Sequence, residues 1–340
     1  MAKKFACLSP SGDEINVFNG ATGEIVVSKS LPDNVAASYF IDISYDGAYV
    51  AVTAPLKDYV WFLATESGNT SRVSTSGLSS GGRGFDGNGT FYVGGSLAYL
   101  KIAPPYGFAV PVNTSPVSLT LFPSQIPEQS VAVQRIPSTG ATSYVRLDLT
   151  TGRIGAPIAY PNETGPIRVN SDSTNAMTWF SGNYGVRFWD YSTGNPLSQT
   201  GPTAGAQANE FRSGFGLTSD GQKYVIKTSD NTIGIGDFGS APRQVSLDAV
   251  TEYSADNAYT FLEGMLDDNT VLLSSATIRN MLVAFSLVSA QVVWQNSSGY
   301  NAWSGAGDAK SLGVQPTAGP VDPPASTGFW KDLLLAYETP

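Results

Sequence analysis

Any chemistry in this chain has to rest on carboxylates, tyrosine, lysine or arginine, because its 340 residues include no histidine and one cysteine, Cys7. Without histidine there is no side chain with an unperturbed pKa near neutrality, the commonest transition-metal ligand is gone, and every Ser-His or Cys-His pairing is excluded. One cysteine allows neither an intramolecular disulfide nor a thiolate metal site, and Cys7 in "KFACLSP" reads as a small core hydrophobe. The adjacent carboxylates Asp13-Glu14 and Asp267-Asp268 could share a proton or a cation, yet both sit in turn-forming sequence, where Asp bonds its own backbone. "SDNTIGIGD" (Ser229 to Asp237) and "DGNG" (Asp86 to Gly89) offer oxygen ligands for Ca2+, but neither has EF-hand spacing. The expectation is a protein with no catalytic residues, no cofactor and no metal.

The elements that would position such residues are short strands. "VRFWDYSTG", Val186 to Gly194, alternates and then turns: Val186, Phe188 and Asp190 point one way, Arg187, Trp189 and Tyr191 the other, and Ser-Thr-Gly supplies the turn. The same pattern recurs along the chain. Its turns end at Gly23, Gly68, Gly107, Gly152, Gly194 and, more loosely, Gly239, and the last copy has Ala290 in the glycine place. The intervals run from 39 to 51 residues, the length of a four-stranded propeller repeat. A second periodic turn, expected one strand earlier, falls at Gly12, Gly47, Gly89, near Thr174, at Gly221 and at Asn269; the fourth copy, around "PEQSVAVQRI", is degenerate. Asp-Gly and Asn-Gly between alternating runs mark hairpins, since glycine accepts the positive φ those turns require. Each unit reads as strand, Asp-Gly-type turn, strand, loop, strand, Thr-Gly-type turn, strand.

Seven units fit between Met1 and about Gly305, and the pattern resembles the WD40-like and YVTN-type β-propeller repeat families. Trp189-Asp190 stands where WD repeats carry their namesake dipeptide. The resemblance implies an all-β chain forming a single seven-bladed β-propeller. The first unit lacks an innermost strand because "KFACLSP" occupies its second place, so "GYNAWSGAGD" (residues 299–308) is expected to close the N-terminal blade and remove an open sheet edge. A second resemblance is to sialidases, also propellers, through Arg135-Ile136-Pro137 and the imperfect Asp box "FDGNGTF". In sialidases the Arg-Ile-Pro motif lies near the start of the propeller, whereas here it falls mid-chain in the degenerate unit.

The expected organisation is residues 1–308 as propeller, 309–328 as a Pro-rich linker and 329–340 as a docking arm. Within "FWKDLLLAYETP", Phe329, Trp330, Leu333, Leu334 and Tyr337 fall on one face of a short helix, which at twelve residues is marginal alone in water. The arm is expected to dock on other protein subunits of an assembly. A net charge of −9 argues against a nucleic-acid-binding face, which needs clustered Lys and Arg. No apolar run reaches the roughly 20 residues of a membrane-spanning helix, so no membrane insertion is expected. Only 14% of residues are charged, and Gly and Pro number 36 and 21. With the absence of a signal-like leader, this style resembles tailed-bacteriophage virion components, among which propellers occur in tail proteins. The expectation is a non-catalytic structural scaffold located in a virion; the alternatives are a cytoplasmic propeller adaptor, a glycan- or peptide-binding module, and a histidine-free glycosidase.

Overall fold

A computed structural model describes residues 4–8, 13–31, 40–53, 58–75, 82–94, 98–113, 118–123, 127–135, 142–158, 167–169, 175–180, 185–190, 193, 195–200, 215–218, 222–229, 231–237, 240–250, 260–275, 281–296 and 302–305. All regular structure among them is β, in seven four-stranded antiparallel sheets. The second sheet shows the pattern: Phe40–Ile43, Tyr49–Thr53, Tyr59–Ala64 and Thr70–Ser74 pair in that order from the inner to the outer edge. The next five follow the chain in the same way, from the inner strands Arg83–Phe85, Ser118–Pro123, Ile167–Val169, Phe215–Leu217 and Thr260–Asp267.

The first sheet is assembled from both ends of the chain. Lys4–Leu8, Glu14–Asn19 and Ile25–Ser30 are its second to fourth strands, and Ala302–Gly305 supplies the innermost place, with Ala302 opposite Leu8 and Gly305 opposite Phe5. The sequence expectation for the turn at Gly12 needs correction here. Lys4–Leu8 is a second strand, so the segment after it joins the second and third strands, whereas the turns at Gly47, Gly89 and Asn269 join the first and second. In those units the Asp-Gly-type turn therefore precedes the Thr-Gly-type turn by two strands, not one.

Side chains alternate along each strand, but the central strands are covered on both faces and so read as continuous apolar runs. In "YVWFLA", Tyr59, Trp61 and Leu63 pack with Ala6, Ile15 and Val17 of the first sheet, while Val60 and Phe62 pack with Phe85, Phe91 and Val93 of the third. The core is thus a series of apolar layers between successive sheets, continued by Tyr92, Tyr99, Leu119 and Val145 between the third and fourth and by Val225, Ile233, Leu262 and Val283 between the sixth and seventh.

Innermost strands approach their neighbours closely. Gly82 bridges Leu121 in parallel register, and a Cβ on Gly82 would lie 2.5 Å from the Leu121 carbonyl oxygen, so no larger residue fits there without moving backbone. Ala302–Gly305 touches both Phe40–Ile43 of the second sheet and Thr260–Asp267 of the seventh.

Candidate interaction surface

The periodic turns behave as their residues require, with instructive substitutions. Gly23, Gly68 and Gly152 have φ near +70° and donate back to Asn19, Ala64 and Asp148 at 2.8, 2.9 and 2.9 Å. Ala290 takes the same place with φ 54°, its N–H donating to the Ser286 carbonyl at 3.0 Å. In the third sheet the positive φ falls on Tyr106 (57°) rather than on Gly107. The degenerate fourth copy is completed by Glu128, at φ 59°. Gly12, Thr174, Gly194, Gly221 and Gly239 lie outside the described residues.

Antiparallel order brings both turns of a unit to one end of its sheet, where they are tied together. Thr65 donates from its N–H to the Ala48 carbonyl (2.8 Å) and from Oγ1 to the Gly47 carbonyl (2.7 Å); Leu149 N–H reaches Glu128 and Leu287 N–H reaches Asn269, each at 2.8 Å.

These turns absorb the acidic residues that could have been chemical. Asp86 is buried, and its Oδ1 accepts from the N–H groups of Asn88 (2.9 Å) and Thr90 (3.0 Å). Its Oδ2 accepts from Tyr92 Oη (3.1 Å) and from the N–H of Glu128 (3.0 Å) in the next sheet. With four protein donors the carboxylate is a brace between two turns, not an open ligand. Asp148 Oδ1 accepts from the N–H groups of Thr150 and Thr151, and those bonds hold its carboxyl below the usual range. Asp190, of the Trp-Asp pair, accepts from Thr193 N–H at 2.8 Å in the equivalent turn, and Asp267 from Asn269 N–H at 2.8 Å. Outside these turns, the Glu14 carboxylate accepts from Ser28 Oγ across the third and fourth strands of the first sheet, and the Asp13 backbone carbonyl accepts from Leu31 N–H.

Two buried ionic groups lie on inner strands. Arg83 Nε stands 3.1 Å from Asp42 Oδ2, joining the second and third sheets; burial lowers the guanidinium pKa to about 10 against the opposing pull of Asp42. Glu263 accepts a bond from Ser274 Oγ, and burial together with its charge pushes the Cys7 thiol well up, leaving Cys7 a protonated core group. Among the described residues no cluster of three or more His, Cys, Asp or Glu could hold a metal ion. Arg135 closes a strand between Ser118 and Thr142, while Ile136 and Pro137 lie outside the described residues, as does Asp230 of the other oxygen-rich stretch.

The described surface also exposes several large apolar side chains. Phe108 and Val288, in third-to-fourth-strand connections, are 72% and 73% exposed, and outer strands expose Ile25, Val26, Val110, Leu197 and Val293. The arm residues Phe329, Trp330, Leu333, Leu334 and Tyr337 lie outside the described residues. A residue that the sequence pattern did not single out, Trp294, seals the first sheet against the seventh: its ring stacks on Phe5 at 5.8 Å, and Nε1–H donates to the Gly20 carbonyl at 2.9 Å.

Sheets of this connectivity, packed face to face from inner strand outwards, define a β-propeller. No family model and no curated relative matches the chain. Solved structures do: a functionally unknown protein from Desulfotomaculum acetoxidans (13% identity, TM-score 0.60, covering 92% of this chain and 99% of that one). Apo AztD from Citrobacter koseri is similar at 10% identity and TM-score 0.60, covering 91% and 98% of the two chains. Hsv2 from Kluyveromyces lactis is similar at 11% identity and TM-score 0.55, covering 86% and 94%. At these identities the likeness concerns the fold alone.

Proposed function

We propose that the seven sheets are the blades of one closed propeller that serves as a non-catalytic interaction scaffold, a structural component of a bacteriophage virion carried in its tail or on its capsid. The observation that carries the scaffold reading is the use of the polar side chains. Asp86, Asp148, Asp190 and Asp267 are bonded to backbone N–H groups in turns, Arg83 faces Asp42, and the described exposed surface presents scattered large apolar groups. Such a molecule is built to hold its shape and be touched, with its contact to neighbouring subunits made by the arm 329–340. Ring closure rests on the strand Ala302–Gly305 and on the Trp294 seam, both joining the end of the chain to its beginning.

The test is native assembly. Electron microscopy of the particle should place seven radial sheets per copy, and full-length chain carrying Trp330→Asp and Leu334→Asp should fold but fail to incorporate. Normal incorporation of that variant would refute the arm's role. Turnover of a sialoside that is abolished by Arg135→Ala would refute the non-catalytic reading.

A further inference from the structure

The geometry points to the outer edge of the seventh sheet, Gln291–Asn296, as the seat for the C-terminal arm of a second copy of this chain. The inference rests on the scaffold reading and names its partner.

Seven outermost strands end in open edges among the described residues, and an open edge is a template for another strand. Six carry a residue that discourages addition: Lys29 in Ile25–Ser30, Arg72 in Thr70–Ser74, Pro111 in Val110–Asn113, Pro157 in Ile154–Ile158, Pro196 in Pro196–Thr200 and Arg243 in Arg243–Ser246. Proline lacks the N–H a new strand needs, and a basic side chain resists losing its hydration on an edge. The seventh, "QVVWQN", has neither; its one irregularity is the bulge at Val293, which three of the other outer-strand pairings share in kind. It is uncharged, Val293 is 52% exposed, and Val288 in the turn before it is 73% exposed. Trp294 and Asn296 bond the Gly20 and Gly23 carbonyls, which brings the exposed Ile25 and Val26 of the adjoining sheet to the same seam.

The occupant lies in the 35 residues that follow Gly305. They include "FWKDLLLAYETP", whose apolar residues match the exposed Val288 and Val293 of an uncharged edge. An isolated twelve-residue helix is marginal in water, whereas an edge offers backbone hydrogen bonds to an extended segment such as Leu333–Tyr337. Reach decides between the chain's own edge and another's. Gly305 lies on the innermost strand of the first sheet, and the seat on the seventh is three strand spacings of roughly 4.8 Å outwards and one sheet spacing of roughly 10 Å across, about 18 Å away. The Pro-rich sequence Gln315–Gly328 would span about 40 Å at the roughly 3.1 Å per residue of an extended proline-rich chain. A semi-rigid spacer that overshoots its own seat has a low effective concentration there and suits a neighbouring subunit. Because every copy carries both arm and seat, the exchange is between identical chains.

Sedimentation of the full-length protein should show self-association that Val293→Lys, or Leu333→Asp with Leu335→Asp, weakens by roughly tenfold or more in dissociation constant. Both variants should melt with the wild type; Gln295→Lys serves as a second edge variant should Val293→Lys not fold. The decisive arm mixes the edge variant, whose arm is intact, with the arm variant, whose edge is intact: the two should associate with each other although neither associates strongly with itself. A monomeric wild type, unchanged association of Val293→Lys and Gln295→Lys, or no association in the mixture overturns the inference. So does a monomer in which the arm protects Gln291–Asn296 from hydrogen exchange, which would place the arm on its own chain. If the wild type is monomeric and the arm variant still fails to enter the particle, the inference fails and the scaffold reading stands.

Discussion

The indole N–H of Trp294 donates to the backbone carbonyl of Gly20 at 2.9 Å, across 274 residues of sequence. The contact stands on a wider stack, since Trp294 lies parallel to Phe5, which lies parallel to Phe18 at 4.7 Å. Gly23 permits the approach: a Cβ there would fall 2.6 Å from the indole, and its φ of 72° excludes most side chains in any case. The seam between the last sheet and the first is therefore packed as an interior interface.

Replacing Trp294 with alanine should cost about 3 kcal/mol, the low end for losing a large aromatic from a packed site, because the side chain is only partly buried. Trp294→Phe keeps the stack and loses the hydrogen bond, so about 1 kcal/mol is expected. Urea midpoints at unchanged slope give both values. A shift below about 0.5 kcal/mol for the alanine variant would mean that the seam is not part of the cooperative unit.

Asp86→Ala should destabilise by about 3 kcal/mol, since it strands Tyr92 Oη and the Glu128 N–H, a group in the next sheet. Asp86→Asn retains an acceptor for Asn88 and Thr90 and should lose less. If added Ca2+ raises the melting temperature of the wild type and not of Asp86→Ala, the carboxylate is a ligand and the bracing account fails.

Ala290→Gly should stabilise, by about 0.5–1 kcal/mol, the reverse of the usual effect of glycine in β structure. The reason is the φ of 54° that Ala290 holds in a place where Gly23, Gly68 and Gly152 stand in other units. Thermal unfolding of the single variant decides this, and a lower midpoint would refute it.

Alkaline pH should unfold the protein in a defined window. Burial raises the phenols of Tyr92, Tyr99 and Tyr106, and pushes Tyr224 up to about 12, helped by Asp237. A raised folded pKa means that the folded state retains its proton as the unfolded chain loses it. Stability is thus full below about pH 10, the unfolded value, and falls as pH rises from there through the folded values. Tyrosinate absorbance should show these phenols ionising together with loss of the circular dichroism of the fold; early, independent ionisation of all tyrosines would contradict it. Asp148, held low by backbone N–H groups, acts oppositely, its contribution being lost as pH falls below the ordinary carboxylate range.

Strand and turn periodicity was legible because it is local. Glycine or asparagine at a turn and alternation beside it are consequences of φ and of side-chain direction within a few residues, and Gly47, Gly68, Gly89 and Gly152 lie where that argument puts them. Where glycine is absent the local signal is absent too: Glu128 adopts φ 59° in a place fixed by bonds to Asp86 and Leu149 rather than by its own preference. The turn signal at Gly12 likewise reports a reversal of the chain and not which strands it joins; the strand order puts the second and third strands of the first sheet on either side of it.

By itself the sequence determined that the chain is β, repeats in units of four strands, and excludes histidine chemistry and an intramolecular disulfide, all of which follow from residue types and short spacings. Only the tertiary structure decided which layer each apolar face joins, that Asp86 serves two sheets, that Arg83 meets Asp42, and that Trp294 meets Gly20. Those relations depend on packing between units far apart in the chain, where the free energy comes from apolar area removed from water and from satisfying buried polar groups, and neither quantity is written in local spacing.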